Sequence, residues 1–372
     1  MNLQHTETRQ MLGDSLGRFL SDRYGPEIRR RSGAAPGHDR ATWAQLVELG
    51  AIGALFDVDD GGLGGTGFDI MVVFEALGAA LVVEPALGSL MSGRALALAK
   101  HEARHGVVAG DTLVAFAHQE PGSRYELAHV QARATVVDGG WRISGTKAVV
   151  ADAEAASHAI VSARVHGNAA DPSGIALFLV ALDAPGVQLR PYPLIDGGRA
   201  AELELRDVSV GPDGLVAPAD AGFDIVERVT GLGILALCSE GVGLMESLKA
   251  ATVDYLGTRV QFGSPIGSNQ ALQHRMVNLL IDIEQARSAV INAAAALDDE
   301  RPQREHALSA AKYTIGVSGI RMAEEAIQMH GGIGMTQELQ AAQTAKRLIM
   351  IDHQLGDADH HLERYVALGR SL

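Results

Sequence analysis

The sequence predicts a mainly α-helical protein with one β-domain in its middle. Residues 3 to about 110, and again 222 to the end, carry apolar stripes at helical spacing. Between them, residues 112 to about 216 break into short, often alternating apolar segments separated by Gly, Asp and Pro. A chain of 372 residues exceeds one ordinary core, so two or three domains are expected. The expected boundaries are 1–111 (helical), 112–217 (β) and 218–372 (helical bundle).

In the first region "TRQMLGDSLGRFLSDRY" places Met11, Leu12, Leu16, Phe19 and Leu20 on one stripe. "RATWAQLVELGAIGALF" continues in the same style. A glycine-rich break, "DDGGLGGTGFD", then precedes the helical "IMVVFEALGAALVV", for which Thr66 or Asp69 is the expected cap.

The β-region reads as six segments: "TLVAFAHQE", "HVQARATVVDG", "GWRISGTKAVVADA", "HAIVSARV", "SGIALFLVAL" and "AELELRDVSVG". "PADAGFD" is the hinge to the last region. There the segments beginning "IVERVTGLGILALCSEGVGL", "NQALQHRMVNLL", "EHALSAAKYTIGV" and "ELQAAQTAKRLIM" are rich in Ala and Gly, which suits closely packed helices.

A net charge of −14 argues against binding nucleic acid through a general basic surface. It leaves room for one phosphorylated cofactor held by local donors. Cys238 is the sole cysteine, which excludes disulfides within the chain and cysteine-cluster metal sites. No apolar run is read as a membrane span and the start does not resemble a signal peptide, so a cytoplasmic location is expected.

"GLGGTG", Gly62 to Gly67, matches the dinucleotide pattern G-x-G-x-x-G, and Glu84 stands near the place of its ribose acid. Asp59 and Asp60 at the mouth of the loop would repel a pyrophosphate, and the flanks are helical. A helix connection is the better account. "RVQFGSPIGSNQALQ", Arg259 to Gln273, is a long helix, a Gly/Pro turn and a new helix; its guanidinium suits a phosphate and Gln270 a base or ribitol chain.

At this segment the chain resembles the acyl-CoA dehydrogenase family. Arg259, Phe262 and Gln270 fall in register with its Arg-x-x-Phe-Gly-x-Pro-Ile segment and the Gln beyond. "ELGAIGALFDVDDGGLGGTGFDIMVVFEALG" is similar to the family's amino-terminal signature, "AFAHQEPGS" to its flavin strand, "WRISGTKAVVADA" to the strand pair next in order, and "AIQMHGGIGMTQE" to its Gln-x-x-Gly-Gly segment. The resemblance runs from about residue 45 to 360. It implies the family fold: an amino-terminal helical domain, a barrel-like or sandwich β-domain and a carboxy-terminal four-helix bundle.

The resemblance also implies FAD as cofactor, an acyl-CoA as substrate and an electron-transfer flavoprotein as acceptor. Gln119 takes a flavin-strand position, and Ser123 one beside the substrate. Arg259, Phe262 and Gln270 serve the adenylate and pyrophosphate half. Gln328, Gly331 and Gly332 reach the FAD of a neighbouring subunit, so a homodimer, homotetramer or heterotetramer with a sister chain is implied. Glu338 takes the place of the catalytic base. Removing an α-proton from a thioester needs such a base in a dry pocket, with donors on the thioester oxygen.

The chain departs from the pattern in places. Gln119 replaces a common Thr, Val149 and Ala151 replace a Trp and Thr beside the flavin ring, and Lys346-Arg347 replaces an Arg-Asp pair. Asp357 replaces the Thr of a Gly-Thr near the flavin and is carried over as a flavin contact. The last region is similar to a branch that includes small subunits of pimeloyl-CoA-type enzymes and paired subunits handling steroid side chains. Glu240 is the reserve base and reads first as an interhelical or subunit-contact acid. His353, Asp357, His360 and His361 lie at helical spacings; nothing else supports a metal there, and none is expected. Two alternatives stand: a non-catalytic partner that completes a sister chain's site, and a flavin oxidase or monooxygenase on the same fold.

Overall fold

The computed structural model describes residues 6–336 and 339–370. By its packing the chain divides into two compact units. One comprises residues 1–29, 66–82 and 234–372; the other comprises 30–65 and 83–233.

The first unit is helical. It holds α1 (Glu7–Arg23), α4 (Gly67–Ala79), most of α7 (Gly222–Thr258), α8 (Gln270–Ala295), α9 (Arg301–His330), α10 (Gln340–His353) and α11 (Ala358–Gly369). Of the stripe on α1, Leu16 and Leu20 are buried, while Met11 is exposed. Thr66 caps α4 in a reciprocal capping box: Asp69 N–H reaches the Thr66 hydroxyl, and the Asp69 carboxylate accepts from Thr66 N–H at 3.0 Å. Arg9 on α1 donates to the same carboxylate at 2.7 Å. Both candidate cap residues therefore take part.

The helices approach as closely as their small residues permit. A Cβ at Gly78 would lie 2.2 Å from the Glu240 carbonyl oxygen, and one at Gly243 would lie 2.1 Å from that of Glu75. Each of the crossing helices α4 and α7 thus presents a glycine to the other's backbone. Gly243→Ala is expected to destabilise the first unit by about 1–3 kcal/mol, the usual cost of overpacking. A chemical-denaturation midpoint equal to wild type would refute that close approach.

Two expectations are corrected here. Among the described residues, the segment read as one helix from "ELQAAQTAKRLIM" onward is two, α10 and α11. Leu355 and Gly356 adopt positive φ, 56° and 111°, and Asp357 starts a new helix as its N-cap. Moreover, α7 is long and apolar enough by composition to cross a membrane. Its apolar window is 94% buried inside the protein, as befits a helix that is apolar all round and packed on every side.

The second unit holds α2 (Pro26–Ser32, apart from its first turn), α3 (Arg40–Glu48), α5 (Ala86–Leu98), α6 (Arg104–Val108) and an eight-stranded sheet. The strands are β1 (Val114–Ala117), β2 (Arg133–Val137), β3 (Gly140–Ala151), β4 (His158–Arg164), β5 (Ile175–Ala181), β6 (Val187–Pro193), β7 (Arg199–Val210) and β8 (Leu215–Ala217). Their order is β6-β7-β3-β2-β4-β5-β8, with β1 pairing parallel to β4. Two register shifts interrupt the β3–β7 ladder, between Ile143 and Gly145 and between Lys147 and Val150. Ile143, Val150, Val161, Phe178, Leu203 and their neighbours fill one apolar face, with Trp141 edge-on to Phe178 at 5.2 Å. The "GLGGTG" stretch follows a 3-10 turn rather than a strand, and Arg94 donates to the Gly65 carbonyl, so no dinucleotide fold surrounds it.

Glu84 is buried in this unit, where its carboxylate oxygens accept from Ser32 Oγ at 2.5 Å and Asp39 N–H at 3.1 Å. Burial pushes its pKa up to about 7, against the hydrogen bonds that favour the anion. The folded state therefore holds this proton more tightly than the unfolded chain. The resulting stabilisation is complete below about pH 4.5 and is lost as pH rises through about 7. A shift of this size amounts to about 3 kcal/mol. Glu84→Gln, which keeps an acceptor but cannot titrate, is expected to flatten the unfolding free energy between pH 5 and 8. An unchanged pH slope in that variant would rule the effect out.

Candidate functional site

The residues marked out by sequence fall into two groups, one in each unit. In the second unit, β1 leaves the sheet after Ala117 and carries His118, Gln119 and Glu120 into a turn. His118 and Glu120 are buried and Gln119 is exposed, as expected when successive side chains of extended backbone alternate. Ser123 is buried and closes the turn, its hydroxyl donating to the Glu120 carbonyl at 2.8 Å. The Gln119 amide makes only a long 3.5 Å bond to the Arg124 carbonyl, so its donors remain available to a ligand. Val149 is 48% exposed, with φ of 50°.

Behind this turn lies a polar cluster that sequence reading missed. Lys147 is fully buried and donates to Glu120 Oε1 at 2.7 Å, Ser162 Oγ at 2.9 Å and the His118 carbonyl at 3.2 Å. Glu120 also accepts from the backbone N–H groups of Gln131 at 2.6 Å and Ala132 at 3.0 Å. Burial lowers the Lys147 pKa to about 8, with the Glu120 carboxylate opposing it, and lowers that of His118 to about 3. A second missed residue, Arg164, is 1% exposed and gathers the carbonyls of Ala128, Val130, Ala169, Asp171 and Ser173. A charged residue that occupies an apolar place in a strand pattern was the available signal for both.

In the first unit, Arg259, Phe262 and Gln270 share one connection. Beyond α7 the chain forms a small hairpin, β9 (Val260–Gln261) and β10 (Ser264–Pro265). Its tip is Phe262 and Gly263, with φ of 51° and 84°, the left-handed pair a tight hairpin requires. Ile266 N–H donates to the Arg259 carbonyl at 2.9 Å, and Gln270 opens α8. Arg259 and Gln270 are exposed, and Phe262 projects wholly into solvent.

The segment from Gln328 to Gly332 ends α9. The Tyr255 and His330 rings stack at 4.6 Å, bringing the end of α7 to the end of α9. Gln328, Gly331 and Gly332 are exposed. A Cβ at Gly331 or Gly332 would meet none of the described residues, although Gly331 also needs its φ of 67° to end the helix. Space beside both glycines is therefore open, as close approach by another molecule demands. Glu338 lies outside the described residues.

Glu240 sits on α7, 6% exposed, with both carboxylate oxygens held by Arg347 at 2.6 Å. Arg347 also donates to Gln354 Oε1 at 2.9 Å. Such a two-bond pair occupies both oxygens of the carboxylate. Asp357 is likewise engaged, accepting from His360 N–H at 2.9 Å as the cap of α11. The turn before it is tied down by buried Lys312, which donates to the carbonyls of Asp352 at 2.9 Å and Gly356 at 2.5 Å. His361 Nε2 meets the Leu355 carbonyl at 3.0 Å, and burial lowers its pKa to about 3. Among the described residues no three His, Cys, Asp or Glu side chains converge as metal ligands.

Three successive segments match descriptions of one family: residues 6–106 the acyl-CoA dehydrogenase N-terminal domain, 115–208 its middle domain and 220–356 its C-terminal domain. The chain is 28% identical over 362 residues to acyl-CoA dehydrogenase FadE12 of Mycobacterium tuberculosis, covering 93% of this chain and 92% of that one. It is 28% identical over 313 residues to the human mitochondrial short-chain specific acyl-CoA dehydrogenase, covering 80% and 75%. The solved Tcur3481–Tcur3483 steroid ACAD matches with a TM-score of 0.87 at 26% identity, covering 98% of both chains. With the three domain matches in order along almost the whole length, the chain belongs to the acyl-CoA dehydrogenase family of FAD-dependent oxidoreductases.

Proposed function

We propose that this chain desaturates an acyl-CoA thioester between Cα and Cβ, with Glu338 as the base and an electron-transfer flavoprotein as the electron acceptor. Bound FAD supplies the hydride acceptor for the β-hydrogen. The observation that carries the reading is the exposed set at one end of the helical unit. Arg259, Phe262, Gln270, Gln328, Gly331 and Gly332 present a cation, a ring, two amides and two open glycines. Among the described residues none of these features serves the chain's own packing beyond bounding its helices. They fit the adenylate and pyrophosphate half of a dinucleotide, in part that of a neighbouring subunit. Gln119 supplies an amide to the flavin ring edge, and Ser123 shapes the turn beside the substrate. Glu338 takes the α-proton, and thioester polarisation by nearby donors lowers the cost of the developing enolate.

Glu240 is the weaker base because Arg347 already occupies both of its oxygens. A partner-subunit reading is favoured by the likeness to the Tcur3481–Tcur3483 steroid ACAD. One experiment separates the two. The purified chain is expected to be yellow, to release FAD rather than FMN on denaturation, and to bleach when an acyl-CoA is added without oxygen. A chain that stays colourless with excess FAD defeats the proposal. Colour that appears only with a sister chain supports the partner reading instead.

A further inference from the structure

We propose that Lys147 is the positioning residue that sets the flavin-facing turn 118–120, and thereby aims the Gln119 side chain. The proposal rests on the flavoprotein reading above, with Gln119 as the ring contact. Its geometry lies entirely behind that contact. Lys147 spends all three of its N–H donors, on Glu120 Oε1, Ser162 Oγ and the His118 carbonyl. No proton is left for a ligand, so Lys147 acts through its neighbours and not on the substrate.

Two of those acceptors belong to the residues on either side of Gln119. The next residue after Lys147 completes the grip, since Ala148 N–H donates to the Gln119 carbonyl at 2.8 Å. Gln119 is thus held by its own carbonyl and by both flanking residues, while its side chain stays exposed. Glu120 anchors the far side on Gln131 and Ala132, and Ser162 Oγ also meets His118 Nδ1 at 2.9 Å. The cluster carries one ammonium against one carboxylate, with His118 neutral at ordinary pH. Removing the ammonium strands a buried carboxylate and frees the His118 carbonyl, and β1's last hydrogen-bonded pairing, Ala117 with Val161, lies before the turn. Arg164, whose charge also acts on Glu120, is bonded to carbonyls outside the turn, so among the described residues no other cation donates to it.

The test uses Lys147→Met in the full-length protein loaded with FAD. FAD is expected to bind about tenfold more weakly, the equivalent of one lost bond to a charged group. The oxidised-flavin absorption bands shift, and kcat falls on the order of 10²-fold from misplacement, with KM for acyl-CoA little changed. A role through Gln119 also requires that Lys147→Met add no further band shift to Gln119→Ala. If Lys147→Met does not fold, Glu120→Gln replaces it: its amide cannot accept from both Gln131 N–H and Lys147, and the same band shift is expected. Wild-type affinity and superposable spectra in the folded variant overturn the proposal and leave the flavoprotein reading standing. A wild-type chain that takes up no FAD overturns both.

Discussion

Glu338→Gln is expected to leave acyl-CoA binding and its perturbation of the flavin spectrum intact, while reduction of the flavin by substrate falls by about 10²–10⁴-fold or more. Glutamine keeps the size and much of the hydrogen bonding of glutamate but cannot take a proton. General base catalysis contributes roughly that range, and a dry pocket offers no substitute, so the upper end is expected. Rapid-mixing measurement without oxygen isolates this step from the electron acceptor. Glu240→Gln is the matched control, since it removes the same chemical group at a carboxylate already held by Arg347. Fast reduction in the Glu338 variant with slow reduction in the Glu240 variant would transfer the role to α7. Unchanged rates in both would place the base on another polypeptide.

Arg347→Met is expected to destabilise the helical unit by about 3–5 kcal/mol, the cost of leaving one partner of a buried pair uncompensated. The side chains of Arg347 and Glu240 are 14% and 8% exposed, so water cannot take over the lost bonds. Glu240→Gln costs less, because Arg347 keeps a neutral acceptor and its bond to Gln354. The double change to Met at both positions is expected to recover much of the loss, since two apolar side chains of similar length need no partners. Denaturant unfolding of wild type, Arg347→Met, Glu240→Met and the double variant gives the coupling directly. A single Arg347→Met variant as stable as wild type would sink the account.

Much of the architecture was legible because it rests on local rules. The capping box of Thr66 and Asp69 is a four-residue pattern, and the strands around Ile143, Val161 and Phe178 announce themselves by alternation. The change from helical to β texture near Asp111 needs no tertiary knowledge. What stayed hidden depends on residues distant in sequence. Glu240 and Arg347 are 107 positions apart, and Lys147 meets Glu120 27 positions away. The break before α11 was signalled by Gly356 and Asp357, yet the apolar periodicity reads straight through them. In the candidate site, motif register marked the exposed positions around Arg259 and Gln328. It gave no hint that Asp357 is spent on a helix cap or that Lys147 stands behind Gln119.

The two buried lysines also make the molecule its own reporter of opening. The chain has only five lysines: Lys100, Lys147, Lys249, Lys312 and Lys346. Lys147 and Lys312 are fully buried, one in each compact unit, whereas the other three reach solvent to some degree. Among the lysines, an amine-directed reagent therefore modifies three in the closed protein and the remaining two only through transient unfolding. The rate at which Lys147 is labelled measures the opening of the β-containing unit, and the rate at Lys312 that of the helical unit. Peptide mapping after timed labelling reads the two stabilities separately, in one sample and without any substitution.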